Sequence, residues 1–285
     1  MISRRGFIQG AVAATALLAL PDPFRLLGGK SVSSINSVIW VPFENHNLAA
    51  VKKSAPYLMS VAKTGAQATN FTCSGIHPSL PNYMNLFLGK LPSFGKVDCN
   101  PCTDSSQNLI DLLETAGVSW GFFCEGLAST KPPMDYNVPF PSSAAGAYDN
   151  HHVPVVHLSN VMGNPTWKAK IQDLSKLDLA NLPRFTVIVP NVLHDAHNGT
   201  IQQADAWAKA NVPAYIAAAD LVILWFDEGK GPLYLAFAGK AAKAGAVSSV
   251  AYGNTNLLKT LESIFGLGSL GTGDVKAAPM SDLLA

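Results

Sequence analysis

Charge is scarce in this chain. Asp, Glu, Lys and Arg make up 14% of its 285 residues, against 48% hydrophobic. A chain so apolar is not intrinsically disordered, and it lacks the surplus of charge with which proteins coat nucleic acid. The formal net charge is +1. Without residues 1–30, which hold Arg4, Arg5, Arg25, Lys30 and Asp22, 16 basic and 18 acidic residues remain, a net charge of −2. Long hydrophobic runs are also missing, since the apolar stretch from Gly10 to Leu20 is eleven residues and cannot span a bilayer. No internal repeat occurs, and the 23 glycines and 19 prolines are scattered without a period. That pattern suits a loop-rich enzyme better than a helical bundle or repeat array. The G-x-G-x-x-G spelled by Gly266 to Gly271 follows a helical pattern instead of a strand, so it reads as a helix-ending loop.

What is present begins with an address. Ser3-Arg4-Arg5-Gly6-Phe7-Ile8 followed by the short apolar run matches a twin-arginine export signal, so residues 1–30 are expected to be signal and linker. No clean A-x-A cleavage site follows, and release and tethering both stay open. The expected location is periplasm, cell envelope or the exterior. Twin-arginine export carries folded proteins, often built around a metal or cofactor. Cys73, Cys99, Cys102 and Cys124 are an even number in an exported chain, which suits one or two disulfides with three pairings open. Cys99-Asn-Pro-Cys102 follows a Gly/Ser/Lys loop and not a strand, so a structural bridge is expected there before redox chemistry.

Short, nearly continuous apolar runs at 37–43, 118–124, 185–190, 220–226 and 233–238 read as strands buried on both faces. Helical patterns at 48–64, 79–88, 107–116, 203–219 and 255–265 lie between them. The alternation predicts an α/β fold with a mostly parallel central sheet and helices on both faces, in one domain over 31–285. Residues 131–146 read as a long surface excursion near the mouth of the site. Ligands of such a sheet collect at the carboxyl ends of its strands. Three of the runs end there in polar clusters: Glu44-Asn45-His46, Asp227-Glu228-Gly229, and Pro190-Asn191 through His194-Asp195-Ala196-His197. Each alone reads as a solvated loop; together on one rim they point to a site.

A hydroxyl sits beside them. His77-Pro78-Ser79-Leu80-Pro81-Asn82-Tyr83 opens an apolar helix, which puts Ser79 at a helix N-terminus suited to an anion such as phosphate. Asn82, three residues on, shares its face and can donate to a phosphoryl oxygen. Taken alone, Ser79 reads as an N-cap.

In order along residues 37–270, these motifs, with Asp205-Ala206-Trp207, resemble the bacterial phosphoesterase family of secreted acid phosphatases and phospholipases C, in the alkaline phosphatase superfamily. The resemblance implies that Ser79 is the phosphate-accepting nucleophile. It implies a divalent metal held by Glu44, Asn45, Ser79 and Asp227, with Glu228 a further ligand. His152, in His151-His152-Val153-Pro154, and His197 would contact the transferred phosphoryl group. Asp195 and Asp205 match acidic positions of the family. One departure stands out: Asn254, in Tyr252-Gly253-Asn254, occupies a position where the family commonly has histidine, and asparagine cannot transfer a proton.

The chemistry agrees with these residue types. A serine hydroxyl needs a base or cation to lower the cost of its alkoxide. Oxygen donors suit a hard cation such as Mg²⁺, Ca²⁺ or Mn²⁺, with iron and zinc remaining compatible and one or two ions possible. A protonated histidine would bind the dianion and protonate the leaving oxygen, which predicts activity highest on the acidic side of neutrality. The expected function is an exported, metal-dependent phosphomonoesterase acting on a small-molecule or lipid phosphate ester. A phospholipase C-like phosphodiesterase and a non-catalytic ligand-binding relative are the alternatives.

Overall fold

The computed structural model describes residues 34–73, 75–130 and 147–285. The expected export signal and the surface excursion at 131–146 lie outside them. In chain order the elements are β1 (Val38–Phe43), α1 (Leu48–Ser54), α2 (Pro56–Thr64), β2 (Ala66–Thr72), α3 (Ser79–Leu88), α4 (Leu109–Thr115) and β3 (Trp120–Cys124). There follow α5 (Ser159–Met162), α6 (Pro165–Lys168), β4 (Ile171–Asp173), β5 (Phe185–Val189), α7 (Ile201–Ala218) and β6 (Leu221–Phe226). The chain ends through β7 (Leu233–Ala238), β8 (Ala246–Ser248), β9 (Tyr252–Gly253) and α8 (Asn254–Phe265).

The nine strands form one sheet in the order β4-β3-β5-β1-β6-β7-β2-β8, with β9 also on β2. It is parallel except at β7, which runs antiparallel to both β6 and β2. The connection from β6 to β7 is too short for a crossover, so the chain turns back as a hairpin. Side chains alternate across the sheet as a doubly buried strand requires. Val38 and Trp40 of β1, with Leu221, Ile223 and Trp225 of β6, pack into one core that includes residues of α3, α4 and α8. Ile39, Val41 and Phe43, with Val222, Leu224 and Phe226, pack into a second core with residues of α1, α2 and α7. Trp40 and Trp225, read from the sequence as packing residues, lie 5.3 Å apart beneath Tyr83.

The single helix expected over 48–64 is two helices. Pro56 disfavours helical backbone at Ala55, which sits at φ −128° and ψ 73° between them. Capping boxes set two other starts: Asn108 with Asp111 ahead of α4, and Thr200 with Gln203 ahead of α7. Gly266 ends α8 in the left-handed conformation, as expected of the glycine-rich stretch. Cys99 and Cys102 are bonded to each other, while Cys73 and Cys124 are free and buried. Among the described residues no helix is long and apolar enough to cross a membrane.

Candidate active site

Strands β1 and β6 lie side by side with Phe43 opposite Phe226, so the residue after each is a neighbour at the carboxyl end of the sheet. Those residues are Glu44 and Asp227, both wholly buried. The rim is tied together by main chain: Asp227 N donates to Phe43 O (3.0 Å), and Glu44 N donates to Asp195 O (2.8 Å) in the loop after β5. Asn45 turns into the left-handed region at φ 59°, which asparagine tolerates, and its N–H donates to Asp227 Oδ1 at 3.0 Å.

Helix α3 delivers two hydroxyls to one carboxylate. Ser79 and Tyr83 are four residues apart on one helical face. Ser79 Oγ donates to Glu44 Oε2 at 2.7 Å, and Tyr83 OH donates to Glu44 Oε1 at 2.5 Å. Ser79 is not the cap of its helix, because Pro78 occupies that position and no side-chain capping bond is made. Its hydroxyl is committed to the site. Of the helix's free amides, Leu80 N–H is taken by Asp98 Oδ1 (2.9 Å), so the N-terminus is less open to an anion than its sequence implied.

Burial raises the Glu44 carboxyl well above the usual range, and the charge of Asp227 adds to this while His152 opposes it. Burial likewise pushes Asp227 up to about 7, with the charge of Glu228 adding. His152 sits in a short 3₁₀ turn over Asn150–His152. Its Nδ1 is 2.8 Å from Asp195 Oδ2 and its Nε2 is 3.5 Å from Glu44 Oε1. Burial alone would lower its pKa, but the carboxylates of Glu44 and Asp195 outweigh that and raise it well above the ordinary value. The imidazolium is therefore favoured. His197 stands 5.2 Å from His152, ring to ring, after Ala196 at φ 77°. Its N–H donates to Asp195 Oδ1 at 2.7 Å.

This donor set fits a divalent cation. One ligand atom from each of Glu44, His152 and His197 lies within 4.8 Å of the other two. Asp227 Oδ2 is buried without a hydrogen-bond partner. Among the described residues no Lys or Arg pairs with Glu44 or Asp227, so their negative charge is offset only by His152.

Other expected site residues take different places. Asn82 donates its amide to Asp227 O, which leaves one N–H for a phosphoryl oxygen. Asn254 in turn donates to Asn82 O (3.1 Å) and Asn82 Oδ1, holding that amide from behind. Glu228, expected as a further metal ligand, pairs with Nδ1 of His77. Asp205 is a structural residue: its carboxylate accepts from Tyr57 N (3.1 Å) and Leu58 N (2.8 Å) at the start of α2. Asp195 orients His152 through the contact at Nδ1. Sequence reasoning passed over Tyr83, although its spacing from Ser79 was a readable signal. It also passed over Glu125, which accepts from Asn191 N (3.0 Å) and pairs with His194 (2.9 Å), bracing the loop that carries Asp195 and His197.

Residues 40–234 match the Phosphoesterase family. The chain belongs to that family. It is 31% identical, over 98% of its own length and 92% of the relative's, to a phosphatidylinositol-3-phosphatase of Mycobacterium tuberculosis. It is 27% identical to an acid phosphatase of Aspergillus niger over 84% of this chain, spanning 60% of that protein. The fold is similar to a phosphonate monoester hydrolase of Agrobacterium radiobacter, at TM-score 0.56 and 13% identity, covering 87% of this chain and 77% of that one. An alkaline phosphatase superfamily protein of Vibrio parahaemolyticus gives TM-score 0.55 at 14% identity, over 87% and 72%. The phosphoesterase is thus a hydrolase of phosphoric esters on an alkaline-phosphatase-like α/β scaffold.

Proposed function

We propose that this phosphoesterase is an exported, metal-dependent phosphomonoesterase that works through a phosphoserine at Ser79. The observation that carries the reading is the buried Ser79 Oγ, 2.7 Å from Glu44 Oε2, at a rim where Glu44 and Asp227 crowd together. Similarity to phosphatases over most of the chain supports a monoester substrate, and Arg4-Arg5 ahead of the apolar run supports export.

Ser79 Oγ bonds to phosphorus as its proton passes to Glu44 Oε2, 2.7 Å away. The P–O bond to the alcohol breaks, and His197, only partly buried beside the cavity, gives the leaving oxygen a proton. His152, kept cationic by Asp195 and Glu44, and the remaining Asn82 N–H offset charge on the phosphoryl oxygens. Water then attacks the phosphoserine, a proton passes back to Ser79, and inorganic phosphate leaves. Glu44, Asp227 and Ser79, with Asn45, would hold the cation, which when bound neutralises charge and eases ionisation of the hydroxyl. A mixed site of Glu44, His152 and His197 is the second reading, favoured by their mutual reach.

The test uses purified protein, a chromogenic monoester and its choline diester, with and without chelator, alongside metal analysis. Monoester turnover that is lost on chelation, restored by metal and reduced about 10³-fold or more in Ser79→Ala is expected. Substantial turnover by Ser79→Ala removes the phosphoserine. Preference for the diester reassigns the activity, and no turnover on either ester with metal restored favours a binding protein.

A further inference from the structure

Helix α3 carries Ser79 in its first turn, yet the chain just ahead of it supplies no cap. Pro78 holds the cap position and makes no side-chain hydrogen bond, and Pro81 has no N–H to place. The turn is held from outside. Asp98, eighteen residues further along, accepts from Leu80 N at 2.9 Å through Oδ1. That N–H belongs to the residue next to Ser79, whose Oγ lies 2.7 Å from Glu44 Oε2, so Asp98 fixes the backbone on which this distance depends. The bond is charge-assisted and lies at the positive end of the helix dipole. Among the described residues no Lys or Arg pairs with Asp98, so the amide and not an ion pair is what its carboxylate serves. Asp98 is also one wall of a cavity of about 380 Å³ that it shares with His152 and His197.

Asp98 is exposed, and an exposed loop residue holds a helix only if its own loop is fastened. Two attachments do this. Asp104, buried, accepts from Ser93 N (2.6 Å) and Ser106 N (2.7 Å), which draws the two ends of the loop together. Cys102 is buried as well, and its carbonyl lies 3.0 Å from His157 Nδ1. The bridge from Cys102 to Cys99 carries that anchorage to the residue next to Asp98.

We infer that Asp98 is a positioning residue for the nucleophile, and that the Cys99–Cys102 bridge acts on turnover through it. The inference rests on the phosphoserine reading and adds to it a part that lies outside the groups touching phosphate.

The test measures kcat and KM on the chromogenic monoester with the metal-loaded enzyme, and amide hydrogen exchange in the first turn of α3. Asp98→Ala is expected to lower kcat about tenfold or more with KM nearly unchanged, since a shift of about 1 Å in a reacting group is enough to cost about 100-fold. Asp98→Asn, whose carboxamide oxygen still accepts from Leu80 N, should recover most of the rate. The Leu80 amide should exchange about tenfold faster or more in the alanine variant than in wild type. Replacing Cys99 and Cys102 together by serine should lower kcat, and should lower it no further in the Asp98→Ala background, because changes acting through one contact are not additive. Where the serine pair does not fold, reduction of the bridge in the folded wild type and in Asp98→Ala by a dithiol gives the same comparison.

A wild-type or higher kcat in Asp98→Ala overturns the inference, the higher rate marking Asp98 as a charge that repels the phosphate. Equal losses in the alanine and asparagine variants overturn it too, because the charge and not the acceptor would then matter. Losses that add when bridge and Asp98 are both removed overturn the role of the bridge. A Leu80 amide that exchanges freely in the wild type overturns the contact itself while leaving the phosphatase reading intact. A wild type without turnover, or Ser79→Ala at the wild-type rate, removes that reading and the inference with it.

Discussion

Replacing Asp205 with alanine should make the protein easier to unfold without slowing its chemistry. Helix α2 begins with Pro56, which has no N–H, after Ala55, which has no side chain to cap with. Its first free donors are Tyr57 N and Leu58 N, and Asp205 of α7 accepts from both, at 3.1 and 2.8 Å. One carboxylate thus supplies the missing cap and sits at the positive end of the helix dipole. Hydrogen bonds to a charged acceptor contribute about 1.5–3 kcal/mol, and the two share one desolvated group, so about 2–3 kcal/mol is the expected loss. At roughly 2–4 °C per kcal/mol for a domain of this size, the melting temperature should fall by about 5–10 °C. Asp205→Asn should recover part of the loss, because a carboxamide oxygen still accepts. The assay pairs thermal unfolding followed by circular dichroism with kcat/KM at a temperature where every variant is folded. A rate lowered about 100-fold with an unmoved melting temperature would refute the structural role and return Asp205 to the chemistry.

Tyr83→Phe removes the donor to Glu44 Oε1 and should lower kcat and metal affinity about 10–100-fold with the fold retained; an unchanged rate and metal titration would contradict this. Gly199→Ala would put a Cβ 1.9 Å from Leu193 O, behind the loop that carries Asp195 and His197. Denaturant unfolding should show a loss of about 2 kcal/mol or more, and wild-type stability would refute the packing described. Burial raises Glu262 to about 6, against the pull of Lys259, so between pH 4.5 and 6 the folded state holds more protons than the unfolded state. Stability from this group therefore falls as pH rises through that window. Glu262→Gln should gain up to about 2 kcal/mol over wild type above pH 6 and little below 4.5, and a gain independent of pH would exclude this origin.

The strands that sequence reasoning found are those buried on both faces, because only they carry continuous apolar runs. β2 escaped it: Ala66-Gln67-Ala68-Thr69-Asn70-Phe71-Thr72 mixes polar residues into a strand that is half-covered at several positions. β4, β8 and β9 are two or three residues long, too short to show a period, and exist only because a neighbour supplies their hydrogen bonds. The reversal at β7 is written in the brevity of Asp227 to Pro232, a spacing that was visible but not weighed.

The site was legible where strand ends set it and obscure where side chains from distant segments compete for partners. Glu44 and Asp227 could be placed together from their strands alone, since parallel neighbours end at one rim. The pairing of Glu228 with His77 could not be read, because the two are 151 residues apart in sequence. Asn254 is the sharpest case. As a departure from the family histidine it suggested weakened proton transfer, yet its amide holds Asn82 from behind at both oxygens while Asn82 reaches the carbonyl of Asp227. A donor is needed there because both Asn82 oxygens are buried acceptors, and an asparagine amide supplies two N–H groups where a neutral imidazole supplies one. The substitution therefore orders the amide of Asn82, three residues from Ser79 on the same helix.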